Sequence, residues 1–153
     1  FKIRWIHFGD GPCLDHLRDK VSHSGCIHQV ELMGRQSNRA IMDFYKKTPI
    51  HLLINLSTSE GIPVSMMEAL SFGIPCLGTD VGGVHEIIKN NVNGYLIQED
   101  CSADDVANEI RRVKSLPIEE MRAMRERARI FWKENYRASK NYIMFVDCLE
   151  KEV

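Results

Sequence analysis

Two glutamates eight positions apart, Glu60 and Glu68, stand in the stretch of this sequence best suited to chemistry, Ser57 to Glu86 (STSEGIPVSMMEALSFGIPCLGTDVGGVHE). Glu60 falls in a loop that follows an apolar run, and Glu68 falls about two turns into the helix after it. Gly61 lets backbone approach a ligand closely. Pro63 suits the first turn of a helix. The N–H groups at that helix start lack intrahelical partners and form a natural site for a phosphate or pyrophosphate. Two carboxylates beside an anion site would repel the anion unless they accept hydrogen bonds from neutral donors. Vicinal hydroxyls are such donors, because one carboxylate takes two at once. A nucleotide sugar carries two diols, on ribose and hexose, with a diphosphate between them.

The elements that must position these groups can be read from apolar periodicity. Strands are expected at Ile3 to Phe8, Cys26 to Met33, Ile50 to Leu56, Pro75 to Gly78 and Gly94 to Ile97. The Leu52-Leu53-Ile54 run suits a buried parallel strand. Helical patterns fill the gaps: Pro12 to Ser22, Ser37 to Lys47 with Ser37 as N-cap, Pro63 to Phe72 stopped by Gly73 and Pro75, and Val84 to Lys89. From Ser102 onward the pattern is helical throughout. Ser102 opens one helix, Pro117 a second and Ala138 a third. Such alternation predicts an α/β fold, a Rossmann-like doubly wound parallel sheet with a helical C-terminus. Ligands of such sheets lie beyond the carboxyl ends of the strands. The expected organisation is a single partial domain over 1–153, with an α/β region at 1–100 and a helical region at 101–153.

Composition narrows the classes. Charged residues make up 27% and hydrophobic ones 44%, an ordinary globular balance, and the formal net charge of −1 gives no electrostatic footprint for nucleic acid. No apolar run approaches the ~18 residues of a membrane span. The five cysteines are scattered without a C-x-x-C pair, which favours reduced thiols over zinc or disulfides and a cytoplasmic setting. The six histidines show no metal-binding spacing, and His85 reads as a first-turn helix residue. Gly9-Asp10-Gly11 lacks the third glycine of a dinucleotide fingerprint. Met66, Met67, Leu70 and Phe72 read as core packing. Arg122, Arg125, Arg127 and Arg129, interleaved with Glu119, Glu120 and Glu126, read as a solvated helix face; a patch facing an anionic membrane is the minority reading.

The segment Glu60-Gly61-Ile62-Pro63-Val64-Ser65-Met66-Met67-Glu68 resembles the E-x7-E signature of retaining, GT-B-fold glycosyltransferases of the family 4 type. Its continuation through Gly73-Ile74-Pro75, Gly82-Gly83-Val84-His85-Glu86 and Asn93-Gly94-Tyr95-Leu96-Ile97 is similar to that family as well, and so is Phe8-Gly9-Asp10-Gly11-Pro12 upstream. The likeness runs in order over roughly residues 1 to 135. It implies that Glu60 contacts the donor sugar near the reacting centre, and that backbone amides of Gly61, Ile62, Pro63 and Val64's segment hold sugar hydroxyls and phosphate. It implies that Glu68 binds the ribose hydroxyls, that Arg35 and Gln36 line the base, and that Gly82 and Gly83 make a tight turn. Leu56 departs from the family's usual proline before Ser57, a change that only affects how the strand ends.

The resemblance further implies the C-terminal half of a GT-B fold whose first strand and helix, diphosphate-holding Arg and Lys, and N-terminal acceptor domain lie upstream. The expected partner is a UDP- or GDP-sugar, with no metal or other cofactor. In the full-length enzyme a hexosyl group would pass to a glycan or lipid-linked acceptor with retention, from a cytoplasmic location with peripheral membrane contact, while this chain alone would be inactive. Two other readings stay open: a non-catalytic nucleotide-sugar-binding module, and a sugar-nucleotide epimerase or NAD enzyme of similar fold.

Overall fold

A computed structural model describes residues 1–25 and 29–151. The chain forms two compact units, Phe1–Lys47 and Thr48–Val153.

The first unit is built from β1 (Arg4–His7), α1 (Leu14–His23), β2 (Gln29–Leu32) and α2 (Asn38–Lys47). β1 and β2 pair in parallel, Arg4 opposite Gln29 and His7 opposite Leu32. Across this pair the Arg4 guanidinium forks onto Glu31, with Nε at 2.7 Å from Oε1 and Nη2 at 3.1 Å from Oε2. Cys26, Ile27 and His28 of the expected second strand lie outside the described residues; the rest of it contracts to Gln29–Leu32, where β1 supplies partners. Ser37 caps α2 as expected, its Oγ accepting from the Ala40 N–H at 3.2 Å. The apolar side of α2 sets the Phe44 ring edge-on to Phe8, centroids 5.1 Å apart.

The second unit holds β3 (Leu53–Asn55), α3 (Val64–Ser71), β4 (Cys76–Thr79), α4 (Val84–Ile87), β5 (Gly94–Ile97), α5 (Ala103–Ser115), α6 (Ile118–Asn135) and α7 (Ala138–Lys151). Its sheet runs β3-β4-β5, every pairing parallel. β4 is buried along its whole length. Its residues alternate between two covered faces, as the period-2 geometry of a strand demands. Leu77 joins Tyr95, Val113 and Met124 in a core roofed by α5 and α6. Gly78 looks the other way, where an added Cβ would meet Met66 of α3 and Val84 of α4. Of the apolar residues read as packing on the Pro63 helix, Met66 and Leu70 are fully buried, while Met67 and Phe72 are half-buried.

The α/β class, parallel strands and helical C-terminus are those the sequence predicts. Two expectations need correction. The strand expected over Ile50 to Leu56 shrinks to Leu53–Asn55, and Ile54 is 40% exposed: among the described residues β3 pairs with β4 alone and stands at the edge of its sheet. Arg125 is not part of a solvated face. It is half-buried on α6, its guanidinium donates to the Ile50 carbonyl, and desolvation pushes its pKa down. Arg122 and Arg127 do pair at the surface with Glu119 and Glu120.

α3 ends in a closed turn. The Gly73 N–H reaches the Leu70 carbonyl and the Ile74 N–H reaches that of Ala69, with Gly73 at φ +65°. A Cβ on Gly73 would sit 2.8 Å from the Arg125 carbonyl oxygen, so glycine is also what lets α3 meet α6. Ser102 and Asp105 cap α5 reciprocally. α7 exposes Tyr142, Ile143, Met144 and Phe145. No helix among the described residues is long and apolar enough to cross a membrane.

Candidate functional site

β3 ends at Asn55, and the chain then loops through Ser57 to Glu60 and enters α3 at Val64. This loop leaves the carboxyl end of a parallel strand, where open α/β sheets place their ligands. Glu60 is half-buried and held by the strand end behind it. Its Oε1 accepts from Ser57 Oγ at 2.7 Å and from Asn55 Nδ2 at 3.1 Å. Ser57 Oγ also lies 2.7 Å from Asn55 Oδ1. A hydroxyl has one proton to give, and the ionised carboxylate is the stronger acceptor. These donors, Ser57 first and Asn55 second, hold the Glu60 pKa below its ordinary value against the opposing effect of burial. These hydrogen bonds therefore favour the charged form of the carboxylate. Both bonds fall on one oxygen, and neither uses Oε2.

Ser57 is fixed in turn from β4. Thr79, almost wholly buried at the end of that strand, donates its hydroxyl to the Ser57 carbonyl. The next turn supports Glu60 from another side. Gly83 N–H donates to the Gly61 carbonyl at 3.0 Å. A Cβ on Gly83 would come 2.9 Å from that same oxygen, and one on Gly82 would overlap the Glu60 carbonyl oxygen. The glycine pair is thus what allows two loops to lie backbone to backbone. His85 follows at the start of α4, its Nδ1 3.4 Å from Asp80 Oδ1, with both side chains exposed.

Gly61, Ile62, Pro63 and Val64 form the entry to α3. Pro63 is its cap residue and offers no side-chain acceptor to the first turn. Ile62 and Val64 are exposed there. Glu68 lies one turn beyond Val64 on the same side of the helix and is half-buried, while Met66, Ala69 and Leu70 are buried. Glu60 through Val64 and Glu68 thus share one loop and helix. Arg35 and Gln36 belong to the first unit, following Gly34 at the end of β2. Arg35 is exposed, and Gln36 donates its side-chain amide to the Met33 carbonyl at 2.8 Å. Asn55 and Thr79 were not singled out by sequence reasoning. A polar residue closing each of two apolar strands was their only signal.

Residues 2–131 match the family model described as glycosyl transferases group 1. The N-acetyl-alpha-D-glucosaminyl L-malate synthase of Bacillus anthracis is 32% identical over 134 residues, 86% of this chain and 33% of that protein. The amylovoran biosynthesis glycosyltransferase AmsK of Erwinia amylovora is 35% identical over 103 residues, 65% of this chain and 25% of its own length. Among solved structures, HepE of Anabaena, crystallised in complex with UDP, superposes with a TM-score of 0.82 at 18% identity. That match covers 97% of this chain and 41% of HepE, and it shows a shared fold. The chain thus spans a quarter to a third of the length of these curated relatives.

Proposed function

We propose, since this chain belongs to the group 1 glycosyl transferases, that Glu60, the amides entering α3 and Glu68 form its site for a nucleoside-diphosphate sugar. The whole enzyme would then move a hexosyl group from that donor to a glycan or lipid-linked acceptor, with retention. HepE was crystallised with UDP and also with UDP-glucose, which favours a uridine donor over a guanosine one.

The carrying observation is the placement of Glu60. An ionised carboxylate, anchored through one oxygen by Ser57 and Asn55, stands in the loop that feeds the α3 N-terminus. The two features suit the two ends of a diphosphate sugar. Amide donors and the positive end of the helix stabilise the charge that builds on the departing diphosphate. A fixed carboxylate accepts hydrogen bonds from sugar hydroxyls and favours positive charge developing at the ring. The mechanism is electrostatic, with the donor's own phosphate carrying the negative charge away. Glu68, further along the same helix, takes the ribose diol in this reading.

Calorimetric titration of the full-length protein with UDP, GDP and their sugar conjugates tests the proposal, alongside Glu68→Ala. Binding of one nucleotide class, weakened at least tenfold by the substitution, is the expected result. No binding of any of them would overturn it.

A further inference from the structure

β3 stops at a polar residue that no part of the E-x7-E signature includes. Asn55 is the strand's last residue and pairs with Gly78 of β4. Strand alternation puts its side chain on the same side as Leu53, opposite exposed Ile54. From there its amide donates to Glu60 Oε1 at 3.1 Å. Its other terminal atom, Oδ1, lies 2.7 Å from the Ser57 hydroxyl. Asn55 therefore touches both the carboxylate and the second group that holds it. A glutamate side chain turns about three bonds and costs entropy to fix. Two bonds onto the same oxygen, from a strand end and from a serine anchored by Thr79, leave the carboxylate little freedom.

We infer that Asn55 is a positioning residue for the transfer reaction, acting through Glu60: it pins Oε1 so that Oε2 faces the donor sugar. This rests on the reading of Glu60 given above. The side-chain contacts of Asn55 are with Glu60 and Ser57, so its effect would reach the reaction through the carboxylate. Nucleotide binding, assigned to other groups, should not depend on it. An aspartate at this position keeps the shape but replaces an N–H donor by an acceptor, setting two carboxylates against each other. Glu60 would then swing away or take up a proton, and either change removes the fixed charge.

The test uses purified full-length enzyme as wild type, Asn55→Asp, Asn55→Ala, Glu60→Gln and the two double variants that combine each Asn55 change with Glu60→Gln. Turnover is read as nucleotide release from UDP-glucose and from GDP-mannose by donor hydrolysis, with water as the acceptor of the sugar, and nucleotide affinity by titration with UDP and GDP. Asn55→Asp is expected to lower kcat at least tenfold while the nucleotide Kd stays within about twofold. In the Glu60→Gln background the same change should cost less than twofold further, because the group it positions is already gone. Asn55→Ala serves as a second variant that removes the donor without adding charge, and it should lose turnover with the same dependence on Glu60. Equal losses in both backgrounds, or loss of nucleotide affinity along with turnover, would mean a general structural role and overturn the inference. Wild-type turnover in Glu60→Gln would instead fault the reading of Glu60 itself, and the role of Asn55 would fall with it.

Discussion

The α-carbon of Gly82 faces the backbone carbonyl oxygen of Glu60 so closely that a methyl group placed on it would overlap that oxygen. Gly82 also has φ +50°, a conformation other residues adopt only at a cost of about 1 kcal/mol or more. Backbone cannot yield as a side chain can. Gly82→Ala should therefore push the Glu60 loop out of place, lowering the unfolding midpoint in urea and cutting turnover of the full-length enzyme at least tenfold. Gly78→Ala is the control. There the nearest atoms belong to side chains, the terminal methyl of Met66 at 2.5 Å and a methyl of Val84 at 3.0 Å, which yield more readily than backbone. A Gly82 variant no less stable and no less active than the Gly78 variant would contradict the backbone contact.

The charge of Glu60 makes a second prediction, about acid. Hydrogen bonds from Ser57 and Asn55 lower its folded-state pKa relative to the ~4.3 of an unfolded chain. A carboxyl whose folded pKa is depressed contributes stability that is fully present above the unfolded pKa, and this is lost as pH falls through the folded value. The stability difference between wild type and Glu60→Gln should accordingly be constant near neutrality and shrink once the pH drops below ~4.3. Urea midpoints of both proteins across that range measure it. A gap that does not change with pH would show that the bonds do not favour the charged form.

Asn93 carries a stability prediction away from the site. It is fully buried, donating Nδ2–H to the Ile87 carbonyl at 2.9 Å and accepting the Lys89 N–H on Oδ1 at 2.8 Å. It thereby closes α4 onto the turn that leads into β5. Asn93→Ala leaves the Ile87 carbonyl buried and the Lys89 N–H part-buried without their partner, at about 1–3 kcal/mol for a fully buried group and less for the other. Chemical denaturation should show a loss of roughly 2–4 kcal/mol, and a loss under about 0.5 kcal/mol would mean that water replaces the side chain.

Much of this arrangement can be read from residue types, because some residues announce local geometry. Ser37 and Ser102 mark helix starts and do cap them. Gly73 and Pro75 mark the end of α3, and the turn there closes on Gly73. The strand at Gly94 to Ile97 is found with those bounds. β3 was harder, since the apolar run from Ile50 to Leu56 is longer than the stretch for which β4 supplies pairing partners, and a run of apolar letters does not reveal which strand lies at an edge. Arg125 looked like its solvated neighbours because a half-buried arginine and an exposed one have the same sequence signature; the Ile50 carbonyl that receives it lies far away along the chain. At the site, Glu60 and Glu68 stand out through the ordered motif around them, since their spacing alone is a weak signal. Asn55 and Thr79 stayed hidden because a single side chain bonding to a carboxylate or a backbone carbonyl follows no period.

The sharpest prediction compares two ways of removing Glu60 in the full-length enzyme. Glu60→Ala removes charge, hydrogen-bond acceptors and the partner of Asn55 and Ser57 together, and turnover should fall at least tenfold. Glu60→Asp keeps the charge but draws it back toward the loop by one methylene. Ser57 Oγ and Asn55 Nδ2 now meet a single oxygen, Oε1, at 2.7 and 3.1 Å. A shorter carboxylate cannot satisfy these two donors and still present its second oxygen at the original point. If Glu60 acts only by its negative charge, Glu60→Asp should retain most of the activity, since electrostatic effects change little over about 1 Å. If it acts by placing an acceptor oxygen against the sugar, Glu60→Asp should be nearly as impaired as Glu60→Ala, because hydrogen bonds weaken steeply with misalignment. The anchoring by two donors favours the second outcome, and initial rates of the two variants at saturating donor decide between them.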